Sequence, residues 1–133
     1  MPDGVDQSAE PYLRLAEFRK RGQETGIISE WVGEASEARA KMRVRVAYLT
    51  KIPRVQWDKE HFRSLGKGLW ELKWKAEGKQ FRALGYDYKG YFVMVLGCTH
   101  KQRVYAPPDC LKIARKRMGE FQNGDWEIVE FEA

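Results

Sequence analysis

Lys73, Lys75, Arg82, Lys101, Arg103 and Tyr105 fall in one continuous stretch of this chain, among side chains that alternate between apolar and polar. Cations gathered on one surface neutralise phosphates and release the counterions that surround a polyanion. The bulk charge agrees, with 24 Lys and Arg against 19 Asp and Glu, a formal net charge of +5. Other chemistries are poorly provided for. The two cysteines, Cys98 and Cys110, have no C-x-x-C spacing, and the two histidines, His61 and His100, stand apart. That pattern suits neither a metal centre nor a disulfide framework, and no cofactor is expected.

Positioning such a cluster requires a sheet. Trp70, Leu72 and Trp74 alternate with Glu71, Lys73 and Lys75, the period of a strand with one buried face. Ala76-Glu77-Gly78-Lys79 reads as a hairpin turn, with residues 80–86 as the returning strand. Asp87-Tyr88-Lys89-Gly90 reads as a second turn, and residues 91–96, apolar on both faces, as a central strand. Before this meander the sequence reads as a first strand over 12–19, a short helix over 27–32 and a longer one over 36–51. The longer helix carries the stripe Ala38, Met42, Val46 and Leu49, is capped by Ser36 and is stopped before Pro53. Residues 55–65 read as a short helix or loop. After Pro107-Pro108 a last helix presents Leu111, Ala114, Met118 and Phe121, and residues 126–131 can add an edge strand.

The expected fold is therefore α+β: a small antiparallel β-meander packed on two N-terminal helices, with a C-terminal helix. The domain is expected over 12–124, between a loose leader at 1–11 and an acidic strand or tail at 125–133. The N-terminus lacks the apolar core of a signal peptide, and the run Tyr91–Gly97 is too short to span a bilayer. A cytoplasmic protein without membrane association is expected.

Hairpin register sharpens the cluster. A four-residue loop at 76–79 sets Lys75 opposite Gln80 and Lys73 opposite Arg82, placing Lys73, Lys75 and Arg82 on one face. A four-residue loop at 87–90 then sets Arg82 opposite Val95. Continued alternation adds Thr99, Lys101, Arg103 and Tyr105 to the basic face and turns Cys98 and His100 towards the core. Like charges directly opposite in a sheet repel, so Lys73 against Arg82 calls for an anion between them. Glu71 shares this face and is expected to pair with a neighbouring Lys or Arg. Trp31, Trp57 and Trp126 are assigned to packing, and Arg115-Lys116-Arg117 to the wet face of the last helix.

These same strands carry a family resemblance. Gly68-Leu69-Trp70-Glu71-Leu72-Lys73 resembles the G-L-[YW]-E-L-[RK] strand of phage-derived HigB-like toxins in the RelE/ParE superfamily. Arg82-Ala83-Leu84-Gly85-Tyr86 resembles their R-V-L-Y strand. Gly97-Cys98-Thr99-His100-Lys101, followed by Pro107-Pro108, is similar to their G-F-x-K-K…P segment. Ala114, Arg115 and Arg117 resemble the A-x-x-R helix. Cys98 stands where the family has Phe, and His100 replaces one Lys of its pair.

The resemblance implies ribosome-dependent mRNA cleavage without a metal, restrained by a helix-turn-helix antitoxin that covers the basic face. Attack of the RNA 2′-OH on the adjacent phosphate needs cations at the phosphorane and groups to move protons. It assigns Lys73, Arg82, Lys101 and Tyr105 to catalysis, with Tyr105 stacking on a base or helping to transfer a proton. Lys75, His100, Arg103, Arg115, Lys116 and Arg117 are assigned to RNA binding. Two other readings stay open: a ParE-like gyrase poison, which needs no catalytic residues, and a non-catalytic nucleic-acid-binding module of a phage or mobile element.

Overall fold

A computed structural model of the protein describes residues 13–34, 36–101 and 104–133, with the backbone alone at Lys101. In chain order these form β1 (Leu15–Lys20), α1 (Ile27–Val32), α2 (Glu37–Thr50) and a 3-10 turn (Arg54–Gln56). There follow β2 (Phe62–Gly66), β3 (Leu69–Ala76), β4 (Lys79–Tyr88), β5 (Tyr91–Lys101), β6 (Val104–Ala106), α3 (Cys110–Phe121) and β7 (Trp126–Glu130). The strands make one sheet in the order β2-β3-β4-β5-β1-β7, with β6 pairing to the far end of β5. β1 runs parallel to β5, and the other pairings are antiparallel. The α+β architecture expected from the sequence is the one found.

Local chemistry explains the helices. In α2, Ser36 caps the start, its Oγ accepting from the Arg39 amide at 3.0 Å. Trp57 closes the other end, its Nε1 donating to the Leu49 and Ile52 carbonyls, each at 3.1 Å. The short α1 is held by Glu17 of β1, a buried carboxylate that accepts from the Ile28 and Ser29 amides at 2.8 and 2.9 Å. Its other oxygen accepts from the Ser29 hydroxyl at 2.6 Å.

Helices cover both faces of the sheet. α1 and α2 bury Ile28, Val32, Ala38, Met42 and Leu49 against Leu72, Trp74, Phe81, Ala83, Phe92 and Met94. On the opposite face α3 buries Cys110 and Ala114 over Phe18, Leu84, Val93, Val95 and Cys98. Leu111, expected in the α3 stripe, is instead 36% exposed, and Cys110 takes the buried position. Residues 62–66, read as helix or loop, are a strand, which adds β2 to the meander.

The β3–β4 register is as expected, with Lys73 opposite Arg82 and Lys75 opposite Gln80. Its turn is tighter than a four-residue loop: Ala76 pairs with Lys79 around Glu77-Gly78, both at positive φ. The β4–β5 register differs. Lys89-Gly90, also at positive φ, make a two-residue turn that leaves Tyr88 opposite Tyr91. A bulge then intervenes, because Gly85 faces Met94 whereas Leu84 faces Leu96, leaving Val95 extra. Gly85 permits it, since a Cβ there would lie 2.1 Å from the Val93 carbonyl oxygen. Arg82 consequently faces Cys98 rather than Val95. An odd shift reverses the faces. His100 and Cys98 therefore join the Arg82 face, while Thr99, expected there, faces Phe81 on the other.

Candidate nucleic-acid interface

α3 covers only part of its sheet face, and beyond it Arg63, Glu71, Lys73, Gln80, Arg82, His100 and Tyr105 form a polar patch. Glu71 is its centre and is fully buried. Its Oε1 accepts from Arg82 Nη1 at 2.5 Å, and its Oε2 from Arg63 Nη2 at 2.7 Å. The Tyr105 hydroxyl donates to Oε2 at 3.1 Å. Burial alone would push the Glu71 carboxyl up, but the hydrogen bonds and charges of Arg82 and Arg63 outweigh it and hold it below the usual range. The anion that Lys73 opposite Arg82 calls for is thus supplied by the protein itself, as Glu71.

Arg82, only 5% exposed, is hydrogen-bonded inside the protein through both terminal nitrogens. Its Nη2 donates to Gln80 Oε1 at 2.6 Å and lies 3.2 Å from His100 Nδ1. A guanidinium can only donate, so Nδ1 is the acceptor and the neutral imidazole carries its proton on Nε2. Burial, then the Arg82 charge, lowers the His100 pKa and favours that neutral ring. His100 and Tyr105 are cross-strand partners, with ring centroids 4.8 Å apart, edge to face. Burial, then Glu71, pushes the Tyr105 phenol up to about 12, so it stays protonated at neutral pH.

Lys73 is half-buried, and its Nζ donates to the Lys59 carbonyl at 2.9 Å. Desolvation, then Arg82, lowers its pKa and eases loss of a proton. Lys75 is exposed on the same face. The structure therefore brings Lys73, Lys75, Arg82, His100 and Tyr105 together. The Lys101 side chain and Arg103 lie outside the described residues.

The C-terminal helix departs from its expected wet face. Arg117 turns inward and donates to the Val95 carbonyl at 2.7 Å, satisfying the residue that the bulge displaces. Its guanidinium also lies over the Trp126 ring, 5.1 Å from the centroid. Arg115 donates to the Gly66 carbonyl at 3.0 Å and ties α3 to the β2–β3 turn. Lys116 alone of the three is fully exposed.

Arg63 was missed with its strand. A partial signal was present: Lys67-Gly68 makes a two-residue turn at positive φ that returns residues 62–66 alongside 69–72, but simple mirroring would set Ser64 opposite Glu71, and it is the bulge between Ser64 and Gly66 that sets Arg63 there. Among the described residues, no helix is long and apolar enough to cross a membrane.

No curated protein and no solved structure matches the chain. A family model, phage-derived protein Gp49-like (DUF891), matches residues 30–119, and this family is of RelE-like toxin type. The matched span includes β2 to β6 and the side chains gathered around Glu71, and over more than half its length the chain belongs to the Gp49-like family of phage-derived proteins.

Proposed function

We propose that this protein is the toxin of a type II toxin–antitoxin pair, of the HigB-like branch, and that it cleaves mRNA on the ribosome. The reading is carried by one observation: Lys73, Arg82, His100 and Tyr105 converge on one sheet face around a single buried carboxylate. The reaction is internal transesterification. The 2′-oxygen bonds to phosphorus, the bond from phosphorus to the 5′-oxygen breaks, and the 2′ proton leaves as another reaches the 5′-oxygen. Products are a 2′,3′-cyclic phosphate and a 5′-hydroxyl.

Lys73, with its lowered pKa, takes the 2′ proton as the amine and returns it as the ammonium to the leaving 5′-oxygen, while the Nε2–H of neutral His100 donates a hydrogen bond to the phosphate. Tyr105, its phenol protonated at neutral pH and donating to Glu71, stacks on a base. Lys75 and Lys116 contribute cations to RNA contacts. A cytoplasmic location and a helix-turn-helix antitoxin covering the patch follow from this reading.

The non-catalytic alternative also has a specific observation, because Arg82 spends its terminal nitrogens inside the protein. Mapping of mRNA 5′ ends in translating extracts separates the readings. Wild type is expected to create new 5′-hydroxyl ends, and Lys73→Gln and His100→Ala to slow this by about 10²-fold or more. Intact mRNA at full toxin occupancy overturns the nuclease reading. RNA bound but uncut then identifies a binding protein, and accumulating gyrase-dependent DNA breaks a gyrase poison.

A further inference from the structure

The polar patch continues around the free edge of β3 into a cleft that the strands alone do not define. β2 pairs with β3 only as far as Leu72, and one further bond, from the Lys73 amide to the His61 carbonyl at 2.9 Å, ends the ladder. Beyond it the β3 edge faces α2 across a cleft of about 490 Å³. Lys41, Val44 and Arg45 of α2 line one wall, and Lys73, Lys75 and Arg82 the other, with Glu60 the only carboxylate among the described residues that line it.

The exposed stripe of α2 is unusual for a solvated face. Lys41, Val44, Arg45 and Tyr48 follow at three, one and three residues, so they share one side of the helix. Val44 is 67% and Tyr48 49% exposed, and both are large apolar side chains that α2 had no need to present. The Tyr48 ring is fixed edge to face on His61, with centroids 5.3 Å apart. Arg45 is held by donation to the Lys73 carbonyl at 2.5 Å, and burial lowers its pKa. Cations are therefore crowded into a partly desolvated cleft beside a fixed ring. That is the combination a single strand requires, with charge for its backbone and an aromatic face for its bases.

We propose that this cleft is a second RNA subsite, in which Lys41 and Arg45 take a phosphate and Tyr48 stacks on a base of single-stranded RNA leaving the Glu71-centred patch. The proposal rests on the nuclease reading for its substrate and adds the path that the substrate follows. Its chemistry distinguishes it from an acidic peptide site, which has no use for a stacking ring.

Fluorescence anisotropy with a labelled, 2′-deoxy-substituted and hence uncleavable oligonucleotide tests it, over a salt series. Wild type is compared with Lys41→Gln, Tyr48→Ala and the exposed α3 control Lys112→Gln, each checked for an unchanged circular dichroism spectrum. Loss of one phosphate contact in Lys41→Gln is expected to reduce the slope of log K against log salt by about 0.7. Tyr48→Ala is expected to lower affinity about fivefold or more with the slope unchanged. The control is expected to match wild type. If wild type binds and both variants match it, the subsite is wrong while the nuclease reading stands. If wild type neither binds the oligonucleotide nor cuts mRNA, the nuclease reading itself has failed. Competition by poly-glutamate as effective as by RNA overturns the assignment in favour of an acidic protein segment.

Discussion

Glu71 sits among Arg63, Lys73 and Arg82, and its complete burial decides what those cations are free to do. A buried carboxylate that loses a partner keeps its desolvation cost, which is why breaking such a pair costs about 3–5 kcal/mol. Arg82→Met should therefore destabilise the fold by about that much in urea titration at neutral pH, whereas Lys75→Met, at an exposed position, should cost less than about 0.5 kcal/mol. The effect has a defined pH dependence. The Glu71 pKa is depressed in the folded state, so its contribution is complete above the ordinary carboxylate value and fades as pH falls through the folded one. The gap between wild type and Arg82→Met should narrow below about pH 4.3. Under the proposed function, activity lost in an Arg82 variant would consequently report folding as well as chemistry, and Lys73 and His100 are the cleaner probes.

At the scale of elements, the bulge in β5 is the device that brings His100 to Arg82. It depends on Gly85, where an added Cβ would strike the Val93 carbonyl oxygen at 2.1 Å. Gly85→Ala should cost about 1–3 kcal/mol by overpacking, read from thermal melts. The His100 imidazole should then lose its contact with Arg82 and titrate closer to its ordinary pKa by NMR. The bulge also marks where the sequence stopped being legible. The β3–β4 register could be read because Glu77-Gly78 fixes the turn and Trp70, Leu72 and Trp74 alternate strictly. In β5, Phe92, Val93, Met94, Val95 and Leu96 are all buried, five residues in a row, so apolarity carries no phase. An inserted residue leaves no trace in such a run, and His100 was accordingly assigned to the wrong face. Arg117 escaped for a related reason: the carbonyl it satisfies exists as an orphan only because of that insertion. Glu71 could be read as a salt-bridge former from its strand position, but its full burial required Arg63, and so the strand β2 that the mixed composition of 55–65 concealed.

Across the whole molecule, the sheet is closed by the two ends of the described chain. β1 inserts parallel to β5, and β7 pairs antiparallel on its other side, with Arg19 and Glu127 joined at 3.1 Å. Trp126 packs on Phe18, with ring centroids 5.5 Å apart, and Phe131 enters the core beneath α2. The acidic end of the chain is thus part of the sheet. Deleting residues 125–133 removes two buried aromatic anchors, about 1.5–3 kcal/mol each, and bares an edge of β1. The truncated chain should be unfolded or aggregated at 37 °C by size-exclusion chromatography, even though the cations around Glu71 are untouched.

The parallel pairing of β1 with β5 also sets a timetable. During synthesis β1 emerges before both strands that flank it, Tyr91–Lys101 and Trp126–Glu130, which lie far downstream. Its apolar residues Leu15 and Phe18 must wait until both partners have been made, and such long-range closures are slow. A nascent chain therefore holds its cationic strands before it holds a finished sheet, and a cell that makes this protein meets the assembled surface only after β7 has been made.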